Sequence, residues 1–181
     1  MPFSSGKYYP EIAAGKVFIG STAAAGTAFP ISTGTAVTFG LWNTNTAKNA
    51  VLLWMNVGYT SGTIALGEIG LANQYVGFNI ATGAAMTAFT AGTPKNAMVG
   101  AGLGSSMNFT PSAATLAAGG TAWAWSGYSI ESATAGLGIF RCTWDFDGMI
   151  VPPGQIVFLC GSVAQTGLFT ASLAWAEVDI D

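Results

Sequence analysis

Short apolar runs separated by turn residues are the feature of this sequence that most restricts its fold. Phe140, Cys142 and Trp144 alternate with more polar neighbours, and this period of two is typical of β-strands. Turn pairs such as Asp147-Gly148 follow the runs. Such a pattern predicts an all-β fold, an antiparallel β-sandwich. The predicted strands are Tyr8–Phe18 (a short arm or strand), Val37–Trp42, Asn49–Tyr59, Thr63–Leu71, Gln74–Ile80, Ile139–Phe146, Gln155–Cys160 and Leu168–Ile180.

The 181 residues predict one domain, because no linker or change of composition divides them. We expect residues 16–181 to form a single β-sandwich domain and residues 1–15 to form an N-terminal arm or edge strand. Gly83–Gly120, rich in Gly, Ala, Thr and Ser, is predicted to be a long excursion from the sandwich. Within it, Ser112–Ala118 lies between a proline and a glycine and is predicted to be a short helix.

Charged residues are scarce and histidine is absent. Five basic and eight acidic residues make up 7% of the chain, where ordinary globular proteins have about 25%. Disorder requires low hydrophobicity, but 51% of this chain is hydrophobic. A nucleic-acid surface requires clustered cations, and many hydrolytic and metal sites require histidine. We therefore expect no direct nucleic-acid contact, no catalytic residues, no metal and no cofactor, and a protein that is not an enzyme.

The mean hydropathy of +0.50 raises the question of a membrane protein. A spanning helix needs about 18 consecutive apolar residues, whereas the longest run, Ala50–Met55, already ends at Asn56. Met1–Tyr9 lacks the charged start and apolar centre of a signal peptide. We therefore expect a soluble protein that is made without export and has no membrane partner.

A chain with so few charges loses the repulsion that keeps monomers apart. The strongest predicted strand, Asn49–Tyr59, is apolar on both faces, which is typical of a strand that packs on a core and also on a neighbouring chain. These observations favour a homo-oligomer, a trimer or larger, over a compact monomer with a Thr-, Ser- and Asn-rich surface. Strict alternation would place Val51, Leu53, Met55 and Val57 on one face, opposite Trp54. The predicted subunit contacts are Val51, Leu53, Trp54, Met55 and Val57.

Two tryptophans, Trp123 and Trp125, form the candidate ligand site. They lie two residues apart, so in a regular strand they share a face with Gly127. Two exposed indoles on one face are suited to binding a sugar. Packing on the core or anchoring a subunit interface is the interpretation that we favour, since aromatic residues are enriched there.

Carboxylates occur in two clusters, neither of which predicts a metal site. Asp145 and Asp147 lack the further oxygen ligands of a calcium loop, and Asp147-Gly148 is interpreted as a turn. The acidic C-terminal end is interpreted as a solvated tail or as a contact for a basic partner; it contains Glu177, Asp179 and Asp181.

The glycine-rich loop and the two cysteines have structural interpretations. Gly100–Gly104 lacks the lysine of a phosphate-binding loop and is interpreted as a flexible loop. Cys142 and Cys160 are equally distant from Val151, so a simple hairpin would place them opposite each other, and a crossing between sheets would let them meet in the core. Without an export signal, we favour two buried free thiols.

The last third of the sequence resembles the closing strands of viral jelly-roll proteins and of trimeric proteins of the tumour-necrosis-factor type. The resemblance covers Phe146–Gln155, with its Pro152-Pro153-Gly154 corner, the strand to Cys160, and the final strand Thr170–Val178. The Ala-, Gly- and Thr-rich, charge-poor composition is also similar to that of phage virion proteins. The resemblance implies a single jelly roll in a virus particle.

Several expectations about function follow from this resemblance. It implies a structural subunit, either a capsid decoration or cement protein or a shell protein, that contacts other virion proteins and is assembled in the host cytoplasm. The N-terminus, with Lys7, Glu11 and Lys16, is not the basic arm of a genome-enclosing subunit, which favours the particle exterior. Two alternatives remain open: a lectin-like or receptor-binding module, and a cell-surface or filament subunit whose arm adds a strand to the next chain.

Overall fold

The computed structural model describes residues 8–80, 85–130, 141–146 and 148–180, and these residues form an all-β protein. Every pairing between the named strands is antiparallel, so the prediction of an all-β antiparallel sandwich is confirmed. The elements are α1 (Tyr9–Ala13), β1 (Val17–Ser21), β2 (Ala36–Val37), β3 (Gly40–Trp42), β4 (Lys48–Ser61), β5 (Gly67–Tyr75), β6 (Met86–Phe89), β7 (Lys95–Asn96), β8 (Asn108–Thr110), β9 (Ala114–Leu116), β10 (Thr121–Ile130), β11 (Arg141–Asp145), β12 (Ile150–Val151), β13 (Gln155–Gly161) and β14 (Leu168–Asp179).

Two sheets pack face to face. The first has the order β11-β4-β14-β1-β7, with β12 also paired to β4, and the second has the order β10-β5-β13-β3-β8. The pairing is nested along the chain: β1 pairs with β14, β3 with β13, β4 with β11, and β5 with β10. The first half of the chain therefore folds back along the second half. Trp175 is fully buried between the sheets and stacks on Phe109 at 6.0 Å between ring centroids.

A third, smaller sheet with the order β2-β9-β6 covers the outer face of the second sheet. Ile156 and Phe158 of β13 pack with Met86 and Leu116 of the third sheet and form a second core between the second and third sheets. The intervening Val157 packs in the first core, which lies between the first and second sheets. Within β13, consecutive residues from Ile156 to Cys160 are all apolar because the strand is covered on both faces.

The segment predicted as an excursion contributes strands to all three sheets instead. Strand β7 extends the first sheet beside β1, β8 extends the second beside β3, and β6 and β9 belong to the third. The predicted helix Ser112–Ala118 is wrong, because Ala114 and Leu116 alternate with the exposed Thr115 and bury themselves in the second core. A period of two, not of 3.6, fits that burial.

The structure has a single strand, β5, where the sequence predicted two strands, Thr63–Leu71 and Gln74–Ile80. Gln74–Ile80 was expected as a separate strand, but β5 ends at Tyr75. The N–H groups of Val76 and Gly77 both donate to the carbonyl of Gly154, at 2.8 and 3.0 Å, and Gly77 has a φ of 73°. This turn ends the strand, because both N–H groups bond to Gly154 and the positive φ of Gly77 turns the chain out of the extended conformation.

The remaining predicted strands differ from the observed strands in their end residues, and one of them is split into two strands. The predicted strand Val37–Trp42 is divided between β2 and β3, which lie in different sheets. The predicted arm or strand Tyr8–Phe18 is a short helix followed by the start of β1. The long strands agree closely with the predicted runs: β4 with Asn49–Tyr59, β11 with Ile139–Phe146, β13 with Gln155–Cys160 and β14 with Leu168–Ile180.

Candidate contact surface and ligand pocket

A β-bulge in β4 redistributes the predicted subunit contacts. Opposite β4, Ala174 pairs with Trp54 and the next residue, Trp175, pairs with Leu52, so Leu53 is an extra residue. A bulge of this kind reverses the alternation of side chains. Leu52 therefore faces the same core as Met55, and the expected grouping of Leu53 with Met55 on one face is wrong.

Met55 and Val57, two of the predicted contacts, lie inside the sandwich. Their side chains are 0% and 1% exposed in the core between the first and second sheets. They therefore have no surface to offer a partner in this fold. The other three predicted contacts face outward from the first sheet: Val51, Leu53 and Trp54.

Helix α1 and the preceding Tyr8 pack on the part of the outer face of the first sheet that surrounds Leu53. Ile12 and Tyr8 pack with Leu53 and with alanines of β14, and the Tyr8 hydroxyl donates to the Leu53 carbonyl at 3.4 Å. Leu53 is buried as a result, whereas Val51 and Trp54 remain partly exposed beside the helix. Within the described residues, the N-terminal segment thus packs on its own sheet, and Val51 and Trp54 are the predicted contacts that keep accessible surface.

Most exposed large apolar side chains gather at one end of the sandwich, where β4 and β13 begin and β5 and β14 finish. Among the described residues, eight of fourteen such side chains lie there. Val99 is the most exposed, at 97%, and Leu103 lies beside Gly15. We call this set the apolar end; its members are Tyr75, Phe78, Met98, Val99, Leu103, Ile150, Val178 and Ile180.

Glu177 is a structural anchor at the same end. Its carboxylate is 3% exposed and accepts hydrogen bonds from the Ser105 hydroxyl at 2.6 Å and from the N–H and hydroxyl of Ser106 at 3.0 and 2.5 Å. Lys48 Nζ lies 3.7 Å from the same carboxylate. The interpretation of Glu177 as part of a solvated tail is therefore wrong.

Asp179, the next acidic residue along β14, makes a surface ion pair and is not buried. Asp179 is exposed and pairs with Lys16 at 3.5 Å, while Asp147 and Asp181 lie outside the described residues. Among the residues that the structure describes, no group of three or more His, Cys, Asp or Glu side chains is placed to hold a metal ion.

A second bulge, in β10, separates the two candidate tryptophans. Ala122 pairs with Ala72 but Ala124 pairs with Leu71, so Trp123 is the extra residue. Trp123 consequently packs against the core between the sheets. Trp125 lies over Gly70 on the opposite face, where an added Cβ at Gly70 would come within 2.6 Å of the indole ring. The expectation that the two indoles share a face is wrong.

Trp123 lines a pocket of about 170 Å³ at the end of the sandwich where β13 begins. Asn73 of β5 and Gln155 of β13 add two amide side chains, and apolar groups from β12 and the Pro152 corner complete the wall. The Gln155 Oε1 atom is buried and has no hydrogen-bond partner. The sequence contained a signal for Trp123 only, since the two amides come from strands far apart in the chain. The lining residues are Asn73, Trp123, Ile150, Val151, Pro152, Gln155 and Val157.

The two cysteines are free and lie in different cores. Cys142 packs between the first and second sheets, and Cys160 packs between the second and third. The prediction of two buried free thiols is therefore confirmed. Burial raises the pKa of Cys160 to about 12, and burial also raises the pKa of Cys142, although a hydrogen bond with Ser126 opposes that shift. Both thiols stay protonated at neutral pH and act as small apolar side chains.

Comparison with known proteins gives no relative for this chain. No family model matches the sequence, no curated protein matches it, and no solved structure matches the fold. Among the described residues, no helix is long and apolar enough to cross a membrane. Proposals about function therefore rest on the surface and the pocket of the chain itself.

Proposed function

We propose that this protein is a non-enzymatic structural subunit on the exterior of a virus particle, a decoration or cement protein, which binds copies of itself through apolar contacts. The apolar end is the observation that carries this proposal. Monomeric proteins seldom gather their exposed apolar side chains in one region, and such regions mark interaction sites. Each Å² of apolar surface that a partner covers contributes roughly 25 cal/mol.

A second copy of the chain suits the apolar end better than a charged partner does. The ion pairs Lys16–Asp179 and Lys48–Glu177 are made within the chain at this end, so their charges are already neutralised. The net charge of −3 produces little repulsion between identical copies. Recognition through apolar area, with few ionic contacts, is typical of permanent homo-oligomers.

The strand pairing supports a single jelly roll. Eight strands in two four-stranded groups, paired from the outside of the chain inward, describe a long hairpin wrapped into a sandwich. Jelly rolls of this size form viral capsid proteins as well as lectins. The stretch between β5 and β10 then is an insertion that adds the edge strands β7 and β8 and two strands of the third sheet, β6 and β9; β9 pairs with β2, which lies outside the insertion. The resemblance of Phe146–Gln155 and Thr170–Val178 to viral jelly-roll proteins favours the virion over other assemblies.

An exterior position fits the distribution of charge. Five cations in the chain are too few and too scattered to neutralise packaged nucleic acid. One of them, Lys16, is also engaged by Asp179. A subunit that lies on the outside of a shell needs contacts with its neighbours and with the shell, but none with the genome.

Size-exclusion chromatography with light scattering tests the self-association. We expect the full chain to form a trimer or larger species at micromolar concentration, and Val99→Asp and Leu103→Asp each to shift it to monomer, since both side chains are exposed and a new charge would be desolvated in the contact. Leu66→Asp is the matched control, because Leu66 is also exposed but lies at the opposite end. A monomeric wild-type chain, or equal effects of all three variants, would contradict the proposal.

A further inference from the structure

We infer that the pocket at Trp123 is a binding site for a neutral sugar ring, a single hexopyranose or the terminal ring of a glycan. The site combines an indole with the side-chain amides of Asn73 and Gln155. One face of a pyranose presents C–H groups and packs on an aromatic ring, while its hydroxyls donate and accept hydrogen bonds at the rim. The inference concerns a single chain and does not depend on the virion location.

The size of the pocket restricts the ligand. Pockets for drug-sized molecules measure about 300–1,000 Å³, whereas this one measures about 170 Å³. It has room for several water molecules, each taking about 30 Å³ in the liquid, and hence for one small ring. A longer glycan would place its terminal ring here and extend into solvent.

The chemistry of the lining selects a polar but uncharged ring. None of the seven lining residues is charged, so a phosphate or carboxylate would find no cation. The Gln155 Oε1 atom is buried beneath the pocket wall without a hydrogen-bond partner, which costs free energy. In this proposal the Gln155 amide turns toward the pocket when a ligand binds, so that a donor group of the ligand pairs with Oε1. A hydroxyl provides that donor, whereas a purely apolar ring would leave Gln155 Oε1 unpaired.

The pocket and the most exposed part of the apolar end occupy opposite edges of the sandwich. The pocket lies at β10 and β12, beside the edge formed by β10 and β11. Val99 and Leu103 follow β7, which is the opposite edge strand of the first sheet. Ile150 belongs both to the apolar end and to the pocket wall, so the inference requires a self-contact centred on Val99 and Leu103. The two proposals are tested by different variants.

The test is isothermal titration calorimetry of the full chain with methyl glycosides of glucose, galactose, mannose and N-acetylglucosamine. Adenosine serves as the competing class of ligand. We expect at least one glycoside to bind and Gln155→Leu to weaken it at least about tenfold. Gln155→Leu keeps the side-chain volume and removes the unpaired acceptor, so the melting temperature should hold or rise. Asn73→Ala provides a second pocket variant that does not depend on the first. Trp125→Ala is the matched control, since Trp125 faces away, and it should leave the affinity unchanged.

Three results would overturn the inference. They are the failure of all four glycosides to bind, binding that survives both pocket variants, and binding of adenosine in preference to every glycoside. None of them bears on the oligomeric state, because the Val99→Asp and Leu103→Asp variants test that separately.

Discussion

At the scale of single residues, a few buried polar groups fix how the loops attach to the sheets. Asn43 is fully buried and donates to the carbonyls of Lys48 and Val151, at 2.8 and 2.9 Å, which ties β3 to the start of β4 and to β12. Glu177 holds the Ser105-Ser106 segment in the same way. Each of these groups is satisfied inside the protein, as buried polar atoms need to be.

Glu177 and Asp179 provide a matched pair for testing that role. Glu177→Ala should lower the free energy of unfolding by about 3 kcal/mol, because it leaves Ser106 and Lys48 without their buried partner. Asp179→Ala removes an exposed ion pair on the same strand and should change stability by less than about 0.5 kcal/mol. Urea denaturation measures both. Equal losses would mean that the Glu177 contacts contribute no more than a surface pair.

At the scale of elements, the two bulges decide which side chains face outward. Strand β10, with ten residues, was not among the predicted strands. Strands β4, β13 and β14 were predictable from their apolar runs, and the five-residue β11 from its alternation. The bulges were not predictable, because one inserted residue leaves no local signal in the sequence. For this reason Trp123 and Trp125 were expected to share a face, whereas the bulge in β10 places them on opposite faces.

The short strands and the pocket were beyond sequence reasoning for another reason. Strands β2, β6, β7, β8 and β9 have two to four residues each, and such lengths are defined by the neighbours that they pair with. Likewise, Asn73 and Gln155 meet Trp123 only through the pairing of β5 with both β10 and β13. Nothing local in the chain marks either amide.

The bulge in β4 has a measurable consequence. Strict alternation would put Val51 and Met55 on one face, and their truncation would then have similar costs. The structure instead buries Met55 in the core and leaves Val51 partly exposed. We expect Met55→Ala to cost about 3 kcal/mol and Val51→Ala less than about 1 kcal/mol, as measured by urea unfolding. Similar losses of stability in the two variants would contradict a bulge at Leu53.

At the scale of the whole molecule, low charge and a complete core belong together. The chain buries two apolar layers of its own, one on each side of the second sheet. What it leaves exposed is a set of apolar side chains at one end, beside the ion pairs Lys16–Asp179 and Lys48–Glu177. We interpret the scarcity of charge as a property of the proposed assembly.

Electron cryo-microscopy of particles from the native source tests the central claim most directly. We predict copies of this sandwich on the outer surface of a virus particle, with the loop that carries Val99 and Leu103 in contact with a neighbouring copy. Particles that lack the chain, or copies whose apolar end faces solvent on every side, would contradict the account.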